Sequence, residues 1–274
     1  MAALLALASI FVWGTADFFG GMMSKRRNPF AVVLLMQVFG LGFVAIWATI
    51  VGAWGIGDYW IGGMAAGVAG LLGLVSFYAA LAAGTMGVVA PIAALGVVIP
   101  LSYGLLRGEQ PSSLQWMGIL IAIAGIMAAS GPELSGGVSP RPLLLAGAAA
   151  AFFGIALAFM ASGAEENPTM TIVAMRVMQV CIAVVVFIAW RGFGGITRGD
   201  LPTVAFIGLC DVAANVMFAV AAGIGPLSIV AVLGSLPPIA TATLSAVVLK
   251  ERLTAVQYVG VALAMAGVVL INAG

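Results

Sequence analysis

Arg107-Gly108-Glu109-Gln110-Pro111-Ser112-Ser113-Leu114-Gln115-Trp116-Met117-Gly118 and Leu249-Lys250-Glu251-Arg252-Leu253-Thr254-Ala255-Val256-Gln257-Tyr258-Val259-Gly260 carry one pattern written twice. Glu, Gln, an aromatic residue and Gly recur at a constant offset of 142 positions, and Gly125 and Gly267 extend the match. Earlier landmarks agree with this spacing to within three residues: Trp13-Gly14 with Phe153-Gly154, Asn28-Pro29 with Asn167-Pro168, and Gln37 with Arg176. Apolar sequence generates chance matches, but ordered polar matches of this number point to two homologous halves. The expected division is a first repeat at 1–130, a linker at 131–141 holding the longest polar stretch, and a second repeat at 142–274.

Each motif follows a long apolar run. A bilayer-spanning helix needs about 20 mostly apolar residues. Breaks at charges, Pro and Gly divide the chain into ten such runs: 2–21, 29–51, 60–82, 87–106, 114–130, 142–163, 169–190, 201–222, 227–249 and 255–273. Five runs per half is an odd number, so equivalent helices of the two halves cross the bilayer in opposite directions. The expected fold is therefore an all-α polytopic membrane protein, ten transmembrane helices in two inverted five-helix repeats. In secondary transporters of this design the substrate site lies near the midplane, where the repeats meet.

Composition agrees. Hydrophobic residues make up 64% of the 274 and charged residues 7%, against about 25% charged in soluble domains. So few charges cannot cover a soluble globule of this size, and lipid must be the solvent for most of the surface. A net charge of +1 gives no electrostatic case for nucleic acid. The absence of histidine removes the commonest neutral-pH base and metal ligand. Cys181 and Cys210 form no CxxC pair and read as small buried apolar residues. Met1–Gly21 is apolar before its charges Lys25, Arg26 and Arg27, the reverse of a secretory signal, and reads as the first span. No cofactor or metal is expected. If the N-terminus faces outward, the inner loops hold Lys25, Arg26, Arg27, Arg141, Arg191, Arg198, Lys250 and Arg252 and the outer loops hold Arg107, so loop charge favours both termini outside.

Polar residues inside the runs are the candidates for chemistry, because a charge near the bilayer centre costs about 2.5–3.5 kcal/mol on insertion scales and normally faces a cavity or a partner. Arg176 with Gln179 on the seventh run, and Asp211 with Asn215 on the eighth, each share a helical face. They read either as a structural ion pair or as a polar lining of a substrate cavity. Asp17 follows Trp13 by one turn, with Ser9 a turn earlier; it lines the cavity or sits near the basic loop at Lys25. A proton-carrying role for Asp17 would need a desolvated carboxylate.

In the ninth run Ser235, Pro238, Thr241 and Ser245 fall at helical spacing, with Pro237 beside Pro238; the fourth run holds Pro91 and Pro100. Proline frees a helix carbonyl, so these matched kinks read as gating or site-lining elements or as plain bends. Tyr78, Ser102 and Tyr103 could add cavity polarity. Glu109 and Glu251 precede helix starts and are explained by capping. Gly63, Gly67, Gly70 and Gly73 form a close-packing face, with no strand beside them to make a nucleotide motif.

With Leu249-Lys250-Glu251-Arg252-Leu253-Thr254, Gln257, Gly260 and Gly267, the echo from Gly108 to Gly118, the opening Trp13-Gly14 and Arg176, the chain resembles the EamA family of the drug/metabolite transporter superfamily over essentially its whole length. The resemblance implies ten helices in two inverted repeats, and export of metabolites such as amino acids across a bacterial-type inner membrane. It also implies cytoplasmic termini, opposite to the loop charges. Lys250 stands where the family has glycine before Glu251, and Gln37 stands opposite Arg176.

The function expected is a secondary transporter exporting small amphipathic metabolites by alternating access, with amino acids first and lipophilic cations or drugs as the rival. The candidate cavity residues are Trp13, Asp17, Tyr78, Arg176, Gln179, Asp211, Asn215 and Thr241, where a zwitterion would meet Arg176 and an aspartate. Partners are a small-molecule substrate, the bilayer and, through a carboxylate, protons; monomer and homodimer both remain open. An intramembrane enzyme or a membrane scaffold has little support: there is no HExxH and no nucleophile–base pair within a span.

Overall fold

The structure is a computed structural model, and it describes residues 1–84, 89, 92–129, 140–190, 195–234, 236, 237, 240, 244 and 255–273. Among these residues all regular structure is helical. In chain order the helices are α1 (Ala2–Ser24), α2 (Pro29–Ile50), α3 (Tyr59–Ala83), α4 (Ile92–Leu106, with a 3-10 turn at Leu95–Val97), α5 (Ser113–Ala129), α6 (Pro140–Ala164), α7 (Pro168–Trp190), α8 (Leu201–Ile224), α9 (Leu227–Gly234) and α10 (Ala255–Ala273). Six of them, α1–α3 and α6–α8, are long and apolar enough to cross a bilayer. Their outward residues are apolar too: Ile61 and Leu144 are each 73% exposed, a surface that only lipid would accept.

In lipid, helix ends must satisfy their orphan backbone groups within the protein. Asn28 Oδ1 accepts from the Phe30 amide at 2.9 Å ahead of Pro29, and Asn167 Oδ1 accepts from the Met170 amide at 3.0 Å ahead of Pro168. Ser112 and Gln115 cap α5 reciprocally: the Gln115 amide donates to Ser112 Oγ at 3.2 Å and the Ser112 amide to Gln115 Oε1 at 2.8 Å. Thr197 and Asp200 make a capping box just before α8.

Glu109 departs from expectation. Its carboxylate does not cap the helix that follows it. It reaches across to the N-terminus of α9, accepting from the Leu227 and Ser228 amides at 2.7 and 2.8 Å. The local cap is already supplied by Ser112, and the positive end of α9 is the better partner for a carboxylate. Glu251 lies outside the described residues. Glu166 likewise accepts from the Tyr59 amide at 2.9 Å, at the start of α3.

These contacts sort the loops into two ends. At one end the loops after α2, α4, α6 and α8 meet: Asn167 donates to the Ala53 carbonyl at 3.1 Å, Arg107 pairs with Glu165 at 3.2 Å, and Gly225 lies against Ala2. At the other, Arg27 from the loop after α1 pairs with Asp200 ahead of α8 at 3.0 Å. Among the described residues, the loops placed by these contacts fall at alternate ends, as successive crossings require.

The helix pairings follow a rule. The most extensive contacts are α3 with α6 and α5 with α10, then α1 with α8, α3 with α7, α2 with α8, and α2 with α7; α4 meets α9. Exchanging α1–α5 for α6–α10 turns α3·α6 into α1·α8 and α3·α7 into α2·α8, while α2·α7, α4·α9 and α5·α10 map onto themselves. Glycine permits the tightest of these approaches. A Cβ at Gly67 would stand 2.6 Å from the Met175 carbonyl oxygen, and one at Gly208 would stand 2.5 Å from that of Met36. Met36 and Met175 precede Gln37 and Arg176 in the chain, so the same close contact occurs twice between the halves with their roles exchanged.

Candidate functional site

Among the described residues, parts of α1, α3, α4, α6, α7, α8 and α9 bound a partly open cavity of about 130 Å³. Its wall is mostly apolar. Phe77 and Phe153 meet edge to face with ring centroids 5.7 Å apart, and Met160 and Met175 complete that side. Trp13 stands across from them, its ring held against Phe218 at 5.7 Å. The 3-10 turn in α4 brings Gly96 and Val97 to the wall, and Gly70 contributes bare backbone from α3.

Among the described residues, three polar side chains reach this lining: Asp17, Asp211 and Asn215. Asp17 lies one helical turn beyond Trp13, so α1 presents both to the same space. Among the described residues Asp17 carries neither hydrogen bond nor ion pair. Asp211 and Asn215 share a face of α8; Asn215 Nδ2 donates to the Asp211 carbonyl oxygen at 2.7 Å and to Asp211 Oδ1 at 3.3 Å.

Arg176 stands behind the lining. It is fully buried and clamped from three sides: Nη2 donates to Asp211 Oδ2 at 2.5 Å, and Nη1 donates to Gln179 Oε1 at 3.0 Å and to Gln37 Oε1. The cluster joins α2, α7 and α8, and therefore both halves of the chain. It neutralises Asp211, whose other oxygen is held by Asn215. Arg176 Nε and the Nε2 atoms of Gln37 and Gln179 find no protein acceptor among the described residues. Removing one member of a buried ion pair usually costs about 3–5 kcal/mol, because the other charge is stranded.

Of the residues singled out in the sequence, Trp13, Asp17, Asp211 and Asn215 come together at the cavity, and so does Pro237. Arg176 and Gln179 are not part of its lining and belong to the cluster just described. Tyr78 is buried outside the lining, its hydroxyl donating to the Ala16 carbonyl at 3.4 Å. Pro100 is buried within α4, also off the lining. Ser9 turns back to the Ala6 carbonyl of its own helix. Ser102 is exposed, and Tyr103 accepts from Arg107. Thr241, Pro91, Pro238, Ser235 and Ser245 lie outside the described residues.

Sequence reasoning missed the apolar wall: Phe77, Phe153, Met160 and Met175. In a chain this apolar nothing distinguishes such residues, except that Phe153 occupies the place of Trp13 in the second half.

The model of the EamA-like transporter family matches residues 1–131 and 141–273. No curated protein matches the chain. Among solved structures, one titled "Crystal structure of protein" superposes with a TM-score of 0.79 at 18% identity, covering 99% of this chain and 98% of that chain. At that identity the likeness is one of fold.

Proposed function

The chain belongs to the EamA-like transporter family, and on that footing we propose that it is a secondary transporter moving small amphipathic metabolites by alternating access, with the cavity beside Trp13, Asp17, Asp211 and Asn215 as its substrate site. Membership makes it a multi-pass membrane transporter of the drug/metabolite type; the mechanism and the site are our reading. One observation carries it: a cavity lined from both halves of the chain, within helix contacts that map onto themselves when the halves are exchanged. Such a scaffold has two equivalent packings, related by swapping the roles of the halves, and inverted halves would open those packings to opposite sides of the bilayer.

The cavity suits an amphipathic occupant. Its aromatic and thioether wall takes an apolar body, and its carboxylates and amide fix a polar end. Amino acids and organic cations are the two classes that fit this description. The loop charges favour placing the end that carries Lys25, Arg26, Arg27 and Arg198 in the cytoplasm, with both termini outside. A bacterial inner membrane is the setting proposed for it. Asp17 is the carboxylate through which transport would couple to protons.

Counterflow in sealed proteoliposomes tests the proposal. Vesicles preloaded with an unlabelled metabolite should accumulate the labelled compound saturably. Chemical conversion of the compound would instead support an enzyme, and neither flux nor conversion across a metabolite panel would support a scaffold.

A further inference from the structure

We infer that the cavity selects organic monocations, amines with a single aromatic or apolar body, and discriminates against the corresponding amino acids. The inference rests on the transporter reading of this cavity and names its substrate class.

A zwitterion needs a positive group for its carboxylate. Apart from Arg141 in the first turn of α6, the one cation within the described spans is Arg176, and it is fully buried behind the wall. Its Nη atoms are occupied by Gln37, Gln179 and Asp211. The cation and Asp211 cancel, and Asn215 takes the remaining Asp211 oxygen. The carboxyl group left facing the cavity with no partner among the described residues is that of Asp17. An occupant with one positive charge would favour the ionised form of that group and pair with it. An occupant that adds a carboxylate places it in an apolar space with two aspartates and, among the described residues, no cation in the lining, an arrangement that low dielectric makes unfavourable.

The walls favour the same occupant. Trp13, Phe77 and Phe153 line the cavity, and aromatic faces attract ammonium groups, indole most strongly. Trp13 and Asp17 stand a turn apart on α1, so one ammonium can meet an aromatic face and a carboxylate together. A cavity of about 130 Å³ is small beside the roughly 300–1,000 Å³ of drug-sized sites, which limits the occupant to about one ring.

The test is a matched pair differing by one carboxylate, phenethylamine and phenylalanine, applied to the purified full-length protein in liposomes and in detergent. For the wild-type protein phenethylamine should bind at least about tenfold tighter than phenylalanine, a difference of about 1.4 kcal/mol, and should raise Tm at concentrations where phenylalanine does not. Asp17→Asn should weaken the amine by about tenfold or more and leave phenylalanine within about twofold. Phe153→Leu should weaken the amine by about two- to fivefold through loss of an aromatic face. The wild-type comparison requires no variant to fold.

Phenylalanine binding as tightly as phenethylamine, or an amine affinity unchanged in a folded Asp17→Asn protein, would overturn the inference while leaving a transporter. If neither compound binds but another metabolite shows counterflow, the inference also fails and the transporter reading stands. Absence of counterflow for every metabolite tried removes both.

Discussion

The polar face of α7 and α8 and its counterpart on α2 and α3 occupy equivalent places in the packing but carry different chemistry. Where α7 has Arg176 and Gln179, α2 has Gln37 and Gly40; where α8 has Asp211, α3 has Gly70, by the spacing that sets Gly67 opposite Gly208. Backbone contacts are shared between the halves and charge is not. In apolar surroundings a second ion pair would incur a second desolvation penalty. A single pair placed between the halves, with Gln37 reaching into it from the first, joins both with one buried cation. The scaffold is read as two-fold, while its chemistry is one-sided.

The contrast is broken most directly at the charge. Arg176→Ala should destabilise the protein by about 3–5 kcal/mol, since Asp211 is then buried without a counter-ion. Gln37→Ala should cost only about 1–2 kcal/mol, one hydrogen bond to a charged group. Thermal melts of the two purified variants separate these values, and equal losses would mean that the halves share the load. Arg176→Met combined with Asp211→Leu should recover part of the stability lost in Arg176→Ala, because an apolar pair strands no charge.

The backbone half of the comparison is sharpened by Gly67→Ala and Gly208→Ala. Each places a methyl group against a carbonyl oxygen that belongs to a packed helix. Each should cost about 1–3 kcal/mol by overpacking, and the two costs should be alike. A loss confined to one of them, read from the same melts, would show that the approach is tight at one of the two contacts only.

Glu109→Gln gives a smaller effect. One of the Leu227 and Ser228 amides keeps an acceptor in the Gln oxygen while the other faces the side-chain NH2, and the charge is lost, for about 1–2 kcal/mol. Hydrogen exchange at those two amides should rise in step.

The fold was legible because membrane spans are written in length and composition. The run 60–82 became Tyr59–Ala83, and 169–190 became Pro168–Trp190, each bounded by charges, Pro or Gly. Half of the cavity was legible for the same reason. Asp17, Asp211 and Asn215 are polar within apolar helices and must face something other than lipid. Spacing along one helix places residues on a common face, but it does not say what stands opposite. Arg176 reads from the sequence either as the ion-pair partner of Asp211 or as a cavity residue that could meet a zwitterion. Its partner Gln37 is 139 positions away, and the contact follows from the packing of α2 on α7. Glu109 illustrates the same limit: it was read as a local cap, and it caps α9, 118 positions on. Phe77, Met160 and Met175 carried no signal, since the lipid face, the core and the cavity wall are built from the same residue types.

The proposed alternating access requires halves of opposed orientation, and cysteine accessibility tests that requirement most directly. In a background with Cys181 and Cys210 replaced, Gly108→Cys and Arg252→Cys sit beside the paired glutamates of the two motifs. A membrane-impermeant maleimide applied to sealed right-side-out vesicles, and then to inverted ones, should label the first in one preparation and the second in the other. Labelling of both from the same side of the bilayer would contradict an inverted pair of halves and the transport cycle proposed from it.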